Sequence, residues 1–127
     1  MTTSELYSLL CSKGSGQYFK NAIQQAMPAY RYAKLEKGRS APVSITNEEN
    51  RFNLTNEHIL NLCDWYLNDL IDEIELEYGA NLIEFSDDFE YNEDLEKAIF
   101  MLGTPEINGD LTKDHVHEIR KSLKGAF

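Results

Sequence analysis

The chain has 127 residues, 42% of them hydrophobic and 11% aromatic, a composition that predicts one globular domain over residues 1–127. Its formal net charge of −10 repels nucleic acid and acidic membranes, which argues against direct binding to either. No stretch approaches the roughly 18 consecutive apolar residues of a membrane span, and the first residues lack the pattern of a secretory signal. We therefore expect a cytoplasmic protein with reduced cysteines.

Two short helices are predicted at the start of the chain. The first begins after a cap at Thr2 or Thr3 and ends near Cys11, where residues 14–16 interrupt the helical pattern. The second follows this interruption, and Pro28 must end or kink it because its ring removes a backbone donor. The positions expected to face inward are Leu6, Leu9 and Leu10 in the first helix and Tyr18, Ala22, Ile23 and Ala26 in the second.

The next part of the chain fits more than one structure. Residues 29–38 fit either a further helix or a strand in which Tyr30 and Tyr32 alternate. Residues 38–53 are typical of a loop that has room for a short strand at residues 43–45. An apolar run at residues 82–85 provides a partner for that strand, and the two would form a minor ribbon.

The longest predicted element is a single helix from Thr55 to about Gly79, with Leu54 and Ile59 placed as a hydrophobic staple. At about 100° per residue, one side of this helix is apolar and the other is acidic. The apolar arc holds Ile59, Leu60, Cys63, Tyr66, Leu67, Leu70, Ile71 and Ile74, and the opposite arc holds Glu57, Asn61, Asp64, Asn68, Asp72 and Glu75. At the boundary, nearer the acidic arc, lie Leu62, Trp65, Asp69 and Leu76. We therefore expect Trp65 to be at least partly exposed.

Two further helices are predicted in the last third of the chain. Asn92 caps one that runs to about Leu102 and stops at Gly103. Thr112 caps another that runs to about Leu123. The predicted fold class is mainly α, a small helical bundle of four to five helices with at most a minor two-stranded β ribbon.

No catalytic, cofactor-binding or metal-binding signature is found, so we expect a protein that is not an enzyme and holds no metal or cofactor. The three histidines are interpreted as surface residues, since His115 and His117 are two positions apart and point to different sides of one helix. Residues 86–96 are acidic enough to attract calcium but contain no glycine for a tight turn, which favours a solvated acidic loop.

The helix–loop–helix pattern of residues 95–123 loosely resembles an EF-hand. The glycine, aliphatic and ninth positions of the loop are matched by Gly109, Leu111 and Thr112. The first, second and last positions hold Thr104, Pro105 and His115, and the last of these replaces a bidentate Glu. The resemblance implies a hand that does not bind calcium. Helix capping and an Asn-Gly turn explain the same residues without it.

The charge is distributed unevenly along the chain. Residues 1–46 carry six basic and two acidic side chains, whereas residues 52–96 carry fourteen acidic side chains and no Lys or Arg. The early basic residues include Lys20, Arg31, Lys34, Lys37 and Arg39. We expect these cations either to offset the acidic helix within the fold or to face an acidic patch of a second copy in a homodimer.

The acidic stretch predicts a surface that binds a basic protein partner, with charge speeding association and an aromatic side chain anchoring the complex. The predicted partner-binding residues are Glu57, Asp64, Trp65, Asp69, Asp72, Glu75 and Leu76. In size and charge, such a non-catalytic inhibitor resembles immunity proteins, which cap the nucleic-acid-binding cleft of a nuclease toxin.

Two alternatives to an immunity protein stay open. One is a phage-type nucleic-acid mimic that blocks restriction or CRISPR machinery with carboxylates spaced along helices. The other is a helical adaptor or oligomerisation module. The apolar Leu62, Trp65 and Leu76 among the carboxylates favour a mixed patch, and therefore an immunity-type protein, over a mimic.

Overall fold

A computed structural model describes residues 1–36 and 42–124, which are mainly helical, and the predicted fold class is confirmed. The α-helices in these ranges are α1 (Thr3–Leu10), α2 (Gly16–Ile23), α3 (Met27–Leu35), α4 (Asn56–Leu67), α5 (Glu73–Phe85), α6 (Glu93–Gly103), α7 (Pro105–Asn108) and α8 (Lys113–Leu123). A 3-10 turn at Lys13–Ser15 and the strands β1 (Phe52–Asn53) and β2 (Phe89–Glu90) complete the set. The helices outnumber the four to five expected, because the predicted central helix is two helices and because α3 and the short α7 add two more.

The predicted helix starts at the two ends of the chain are confirmed. The Thr2 hydroxyl accepts a hydrogen bond from the Glu5 amide at 3.2 Å, and the Asn92 side chain accepts one from the Leu95 amide at 2.9 Å. The Thr112 hydroxyl caps α8 in the same way. Each cap satisfies a backbone N–H that the first helical turn leaves without a partner, and each acts within three residues along the chain.

The second helix buries Ile23, as predicted, but not Tyr18 or Ala22, which were also expected to face inward. Phe19 and Ile23 face the core, whereas Ala22 is exposed and Tyr18 is 69% exposed. The helix ends at Ile23, and Pro28 lies in the first turn of α3, where the missing N–H of proline costs no hydrogen bond. Residues 29–35 therefore belong to a helix and not to a strand.

The predicted single helix over residues 55–79 is wrong, because the chain turns between Leu67 and Glu73. Asp69 adopts a left-handed conformation (φ 61°), and the Leu70 N–H donates to the Trp65 carbonyl at 2.8 Å, which closes the end of α4 as a Schellman motif. Asp72 then caps α5 by accepting from the amides of residues 74 and 75. In return, the Asp72 N–H donates to the Glu75 carboxylate at 2.8 Å.

The predicted ribbon also forms elsewhere. Residues 82–85 belong to α5, so they cannot pair with residues 43–45. Instead β1 and β2 form a two-stranded parallel sheet, with Phe52 opposite Phe89. Residues 38–41 of the predicted loop, together with the basic residues Lys37 and Arg39, lie outside the described residues.

One hydrophobic core joins the helices, with α4 packed against α1, α5 and α8 and with α5 packed against α6. Two glycines permit close packing at its centre. A Cβ at Gly16 would lie 2.9 Å from Trp65 Cγ, and a Cβ at Gly79 would lie 3.1 Å from the Phe19 ring. Gly79, which the sequence placed at a helix end, is instead an internal packing position of α5.

Candidate functional site

Trp65 and Leu76, the apolar members of the predicted partner-binding set, are core residues. Both are 0% exposed, which corrects the expectation that Trp65 is at the surface. The Trp65 ring stacks on Phe19 with centroids 5.2 Å apart, and its Nε1–H donates to the Ser12 carbonyl at 3.3 Å. The start of α2 and the 3-10 turn cover the side of α4 that was predicted to lie at the boundary between the apolar and the acidic arcs. Trp65 therefore cannot anchor a partner in this structure.

Two carboxylates of the predicted acidic face are buried in ion pairs. Asp64 accepts from Arg120 Nε at 2.6 Å and from Arg120 Nη2 at 3.2 Å, and Lys13 Nζ lies 3.8 Å away. Glu75, 3% exposed, accepts from Lys20 Nζ at 2.9 Å. A bidentate guanidinium and the ammonium group of Lys20 satisfy these charges within the molecule, so neither carboxylate faces solvent as predicted.

The other predicted acidic residues are divided among separate roles. Asp72 caps α5 and accepts from Arg31 Nη2 at 2.6 Å. Asp69 is exposed and accepts from Lys113 Nζ at 2.7 Å. Glu57 is exposed on the first turn of α4. The seven predicted residues therefore do not form one continuous binding face.

A buried network joins α3 to α5. Lys34 Nζ donates to both oxygens of Glu77 at 2.7 and 2.8 Å, and the Tyr30 hydroxyl donates to the same carboxylate. Burial, followed by this bond to Glu77, raises the pKa of Tyr30 above its ordinary value. The network borders a cavity of about 640 Å³. Within the network, both oxygens of Glu77 accept hydrogen bonds. The network therefore holds α3 and α5 together.

These pairs account for three of the five early basic residues named above. Lys20, Arg31 and Lys34 each bind a carboxylate of α5 or its cap, so for these three cations the expectation that they offset the acidic helix within the fold is confirmed. The partners lie 41 to 55 positions apart in the sequence. Folding therefore neutralises much of the charge that the sequence concentrates in residues 61–79.

Cys11 and His58 form a polar contact at the surface, with Sγ and Nε2 3.5 Å apart. The Thr55 N–H donates to His58 Nδ1 at 2.9 Å, so neutral His58 carries its proton on Nε2 and presents that proton to the sulfur. A base that activates a thiol must accept its proton, which is the opposite arrangement. His58 belongs to the capping box of α4, and its contact with Cys11 does not form a nucleophile–base dyad.

The acidic loop of residues 86–96 is partly structural. Asp88 accepts from the Thr3 hydroxyl at 2.6 Å and from the Glu48 amide at 2.7 Å. The amide bond from Glu48 and the hydroxyl bond from Thr3 hold the pKa of Asp88 below its usual value. Across residues 1–36 and 42–124, no group of three or more His, Cys, Asp or Glu side chains is arranged to hold a metal ion.

Three carboxylates that lie outside salt-bridge distance of any described cation meet at the junction of α5 and α6. A cavity of about 330 Å³ there is lined by Glu84, Glu93, Glu96, Lys97 and Phe100, which we call the α5–α6 edge. Phe100 is 41% exposed, and Phe85, which follows Glu84 in the chain, is 65% exposed. Among the described residues, no basic group lies within salt-bridge distance of these three carboxylates. Burial and the charge of Glu96 raise the pKa of Glu84.

The sequence of α6, read with the helical period, contains a signal for the α5–α6 edge. Leu95, Ile99 and Leu102 form its buried stripe, as predicted. Phe100 lies off that stripe, three or four positions from charged neighbours, so it shares the polar face of the helix with Glu96 and Lys97. The signal for the α5–α6 edge is therefore a large aromatic residue, Phe100, on the polar face of α6.

Compared with protein-family models, with curated proteins and with solved structures, the chain matches none. The site is therefore argued from its own chemistry. None of the helices in residues 1–36 and 42–124 combines the length and the apolar composition that crossing a membrane requires.

Proposed function

We propose that this protein is a non-catalytic inhibitor that binds and neutralises a basic protein partner, as immunity proteins do with nuclease toxins. The observation that supports it is the α5–α6 edge, where three carboxylates in no described ion pair line a cavity together with Lys97 and the partly exposed ring of Phe100. Such a patch suits a basic partner, because charge speeds the encounter and a covered ring slows dissociation. The binding residues proposed are therefore Glu84, Glu93, Glu96 and Phe100, in place of the seven suggested by the helical wheel.

The net charge of −10 adds a long-range attraction to the same partner. A nucleic-acid mimic is the alternative, but it needs carboxylates spaced along an extended surface. Most carboxylates from α4 to the start of α5 instead form ion pairs within the molecule. A mixed patch with an aromatic residue favours the immunity-type inhibitor, which we propose acts in the cytoplasm.

The product of the neighbouring upstream reading frame, where it encodes a basic toxin domain, is the partner to test. We expect its association rate with this protein to fall steeply as salt rises, since screening shortens the range of the attraction to about 8 Å at physiological ionic strength. Dissociation should change far less. A rate that does not depend on salt would contradict the proposal.

Charge reversal locates the binding surface. In one variant, Glu84, Glu93 and Glu96 are changed to Lys. In a control variant, the exposed Glu57, Asp114 and Glu118 of α4 and α8 are changed to Lys, which alters the net charge by the same amount. We expect the edge variant to lose at least about tenfold in affinity, which is the combined effect expected for several charges at the rim of an interface. The control should lose much less. Equal losses would show that only net charge matters and would overturn the assignment to the edge.

A further inference from the structure

A cavity of about 520 Å³ lies where α2, α3 and α5 meet. Glu75 of α5 and Met27 of α3 are the buried part of its lining. The rest of the lining is partly or fully exposed, and it consists of Lys20, Asn21, Gln24, Pro28 and Arg31. None of these residues lines the α5–α6 edge, so the two places can be tested separately.

The carboxylate of Glu75 uses only one of its two oxygens within the fold. The residue is 3% exposed, and its Oε1 accepts from Lys20 Nζ at 2.9 Å and from the Asp72 N–H at 2.8 Å. Oε2 has no hydrogen-bond partner among the described residues. In the same part of the chain, no fully buried side-chain nitrogen or oxygen lacks a partner, so Oε2 is not sealed in the core. Since Glu75 lines the cavity, a largely buried carboxylate offers one free acceptor to a molecule there.

Two cations of the lining keep donors that no described residue uses. Lys20 Nζ has three N–H groups and donates to Glu75, and Arg31 donates through Nη2 to Asp72 at 2.6 Å. The cavity also borders the first turn of α3, which has no side-chain cap and carries the partial positive charge of a helix start. The lining therefore combines one free carboxylate oxygen with several free donors.

This combination suits a molecule that carries both charges. A simple anion would meet the free oxygen of Glu75, and a simple cation would meet Lys20 and Arg31. A free α-amino acid avoids both conflicts, because its ammonium donates to a carboxylate while its own carboxylate accepts from an ammonium or a guanidinium. Met27 and Pro28 add an apolar part to the lining, which favours an apolar side chain on the ligand.

We propose that this cavity binds a free α-amino acid with an apolar side chain, its ammonium on Glu75 Oε2 and its carboxylate on Lys20 and Arg31. Such a ligand contacts three helices at once, so its binding holds α2 and α3 against α5. The inference goes beyond the proposed function, because it assigns a small-molecule site that shares no residue with the surface for the basic partner.

The test uses the full chain and L-leucine, followed by two-dimensional amide NMR. The matched control probes are N-acetyl-L-leucine, which lacks the ammonium, and L-leucinamide, which lacks the carboxylate. We expect saturable shifts at residues 20–31 and 72–76 with L-leucine. Both controls should bind at least about tenfold more weakly, because each loses a hydrogen bond between charged groups.

Three results with these probes would overturn the proposal. The first is the absence of saturable shifts at the cavity with L-leucine. The second is equal binding of N-acetyl-L-leucine, since the site would then be one for anions. The third is equal binding of L-leucinamide, since the site would then be one for cations.

A variant at the carboxylate end of the ligand sharpens the result. Arg31→Gln removes guanidinium donors from the cavity and should weaken L-leucine binding about two- to fivefold, the range for a partly exposed ion pair. Arg51→Gln is the matched control, because it also breaks an ion pair of an arginine, with Glu90, but outside the cavity lining. It should leave L-leucine binding unchanged. Equal weakening by the two variants would overturn the proposal.

Glu75→Gln tests the ammonium end. The amide keeps an acceptor for the Asp72 N–H but loses the negative charge, so we expect L-leucine binding at least about tenfold weaker. Unchanged binding in the folded variant would overturn the proposal. Because Glu75 also binds Lys20, urea denaturation checks that the variant folds. If it does not fold, Arg31→Gln and the two control probes decide the question.

Discussion

Residues 61–79 and the α5–α6 edge are both rich in carboxylates, but their surroundings differ. In the first region, Asp64, Asp69, Asp72, Glu75 and Glu77 each bind a Lys or Arg from a distant part of the chain. At the edge, Glu84, Glu93 and Glu96 have no such partner among the described residues. A run of like charges in a sequence therefore does not identify a binding face. The charges that stay unpaired after folding are the ones available to another molecule.

The aromatic residues of the two regions show the same contrast. Trp65 is enclosed between α4, α2 and the 3-10 turn, whereas Phe100 stands partly in solvent beside unpaired carboxylates. The more conspicuous residue in the sequence is therefore the structural one, and the less conspicuous residue is available to a partner.

Replacing the two aromatic residues should give the largest difference between the regions. We expect Trp65→Ala to lower the free energy of unfolding by about 3–5 kcal/mol, since it removes a large buried side chain. Phe100→Ala should cost about 1 kcal/mol or less, because part of its ring is already exposed. Urea denaturation measures both. Trp65 is the only tryptophan, so its emission in the wild type should be blue-shifted and protected from acrylamide; a red-shifted, quenchable emission would contradict its burial.

Removing one charge from each region should produce a smaller difference. We expect Asp64→Asn to destabilise the fold by about 1–3 kcal/mol, because Arg120 loses a bidentate partner in a largely buried position. Glu96→Gln should be neutral or slightly stabilising, since it removes a repulsion with Glu84. A double-mutant cycle between Asp64 and Arg120 isolates the pair, and a coupling energy near zero would refute its stabilising role. Reversing Asp64, Asp72 and Glu75 together would test folding rather than binding.

The smallest effects are titration differences of opposite sign. Although burial opposes ionisation of Asp72, the Glu75 amide and Arg31 hold its pKa below 3.8, so its stabilising contribution is present above that pH and is lost as the pH falls through the lower folded value. Burial and Glu96 raise the pKa of Glu84 above 4.5, so its ionisation removes stability as the pH rises through that region.

Carboxyl ¹³C NMR titration measures both pKa values directly. In Glu96→Gln the pKa of Glu84 should move back toward 4.5, whereas the pKa of Asp72 should stay the same. A Glu84 pKa that does not respond would show that Glu96 is too far away to act on it.

Much of the fold was predictable because helix signals are local. The caps at Thr2, Asn92 and Thr112 act within three residues, and the inner stripes of α1, α6 and α8 follow the helical period. The break between α4 and α5 was also present locally, in the capping box formed by Asp72 and Glu75. The apolar period continues across this break, however, and therefore predicts one helix.

The candidate site was harder to predict, because it depends on which surfaces remain uncovered. Nothing within one turn of Trp65 indicates that Gly16 and Phe19 pack against its ring. The position of Phe100 on the polar side of α6 predicts its exposure. The cavity beside it is not predictable in this way, because Glu84 of α5 forms part of the lining.

The sequence by itself determined the mainly helical class, the ends of α1, α6 and α8 and the overall negative charge. These properties follow from composition and from contacts between residues three or four positions apart. Only the tertiary structure decided which carboxylates are neutralised, since the pairs that bind Arg120, Lys20, Arg31 and Lys34 join residues 41 to 56 positions apart. An ion pair forms where packing brings two charges within a few ångströms, and that distance is set by how the helices pack, not by the residues along any one of them.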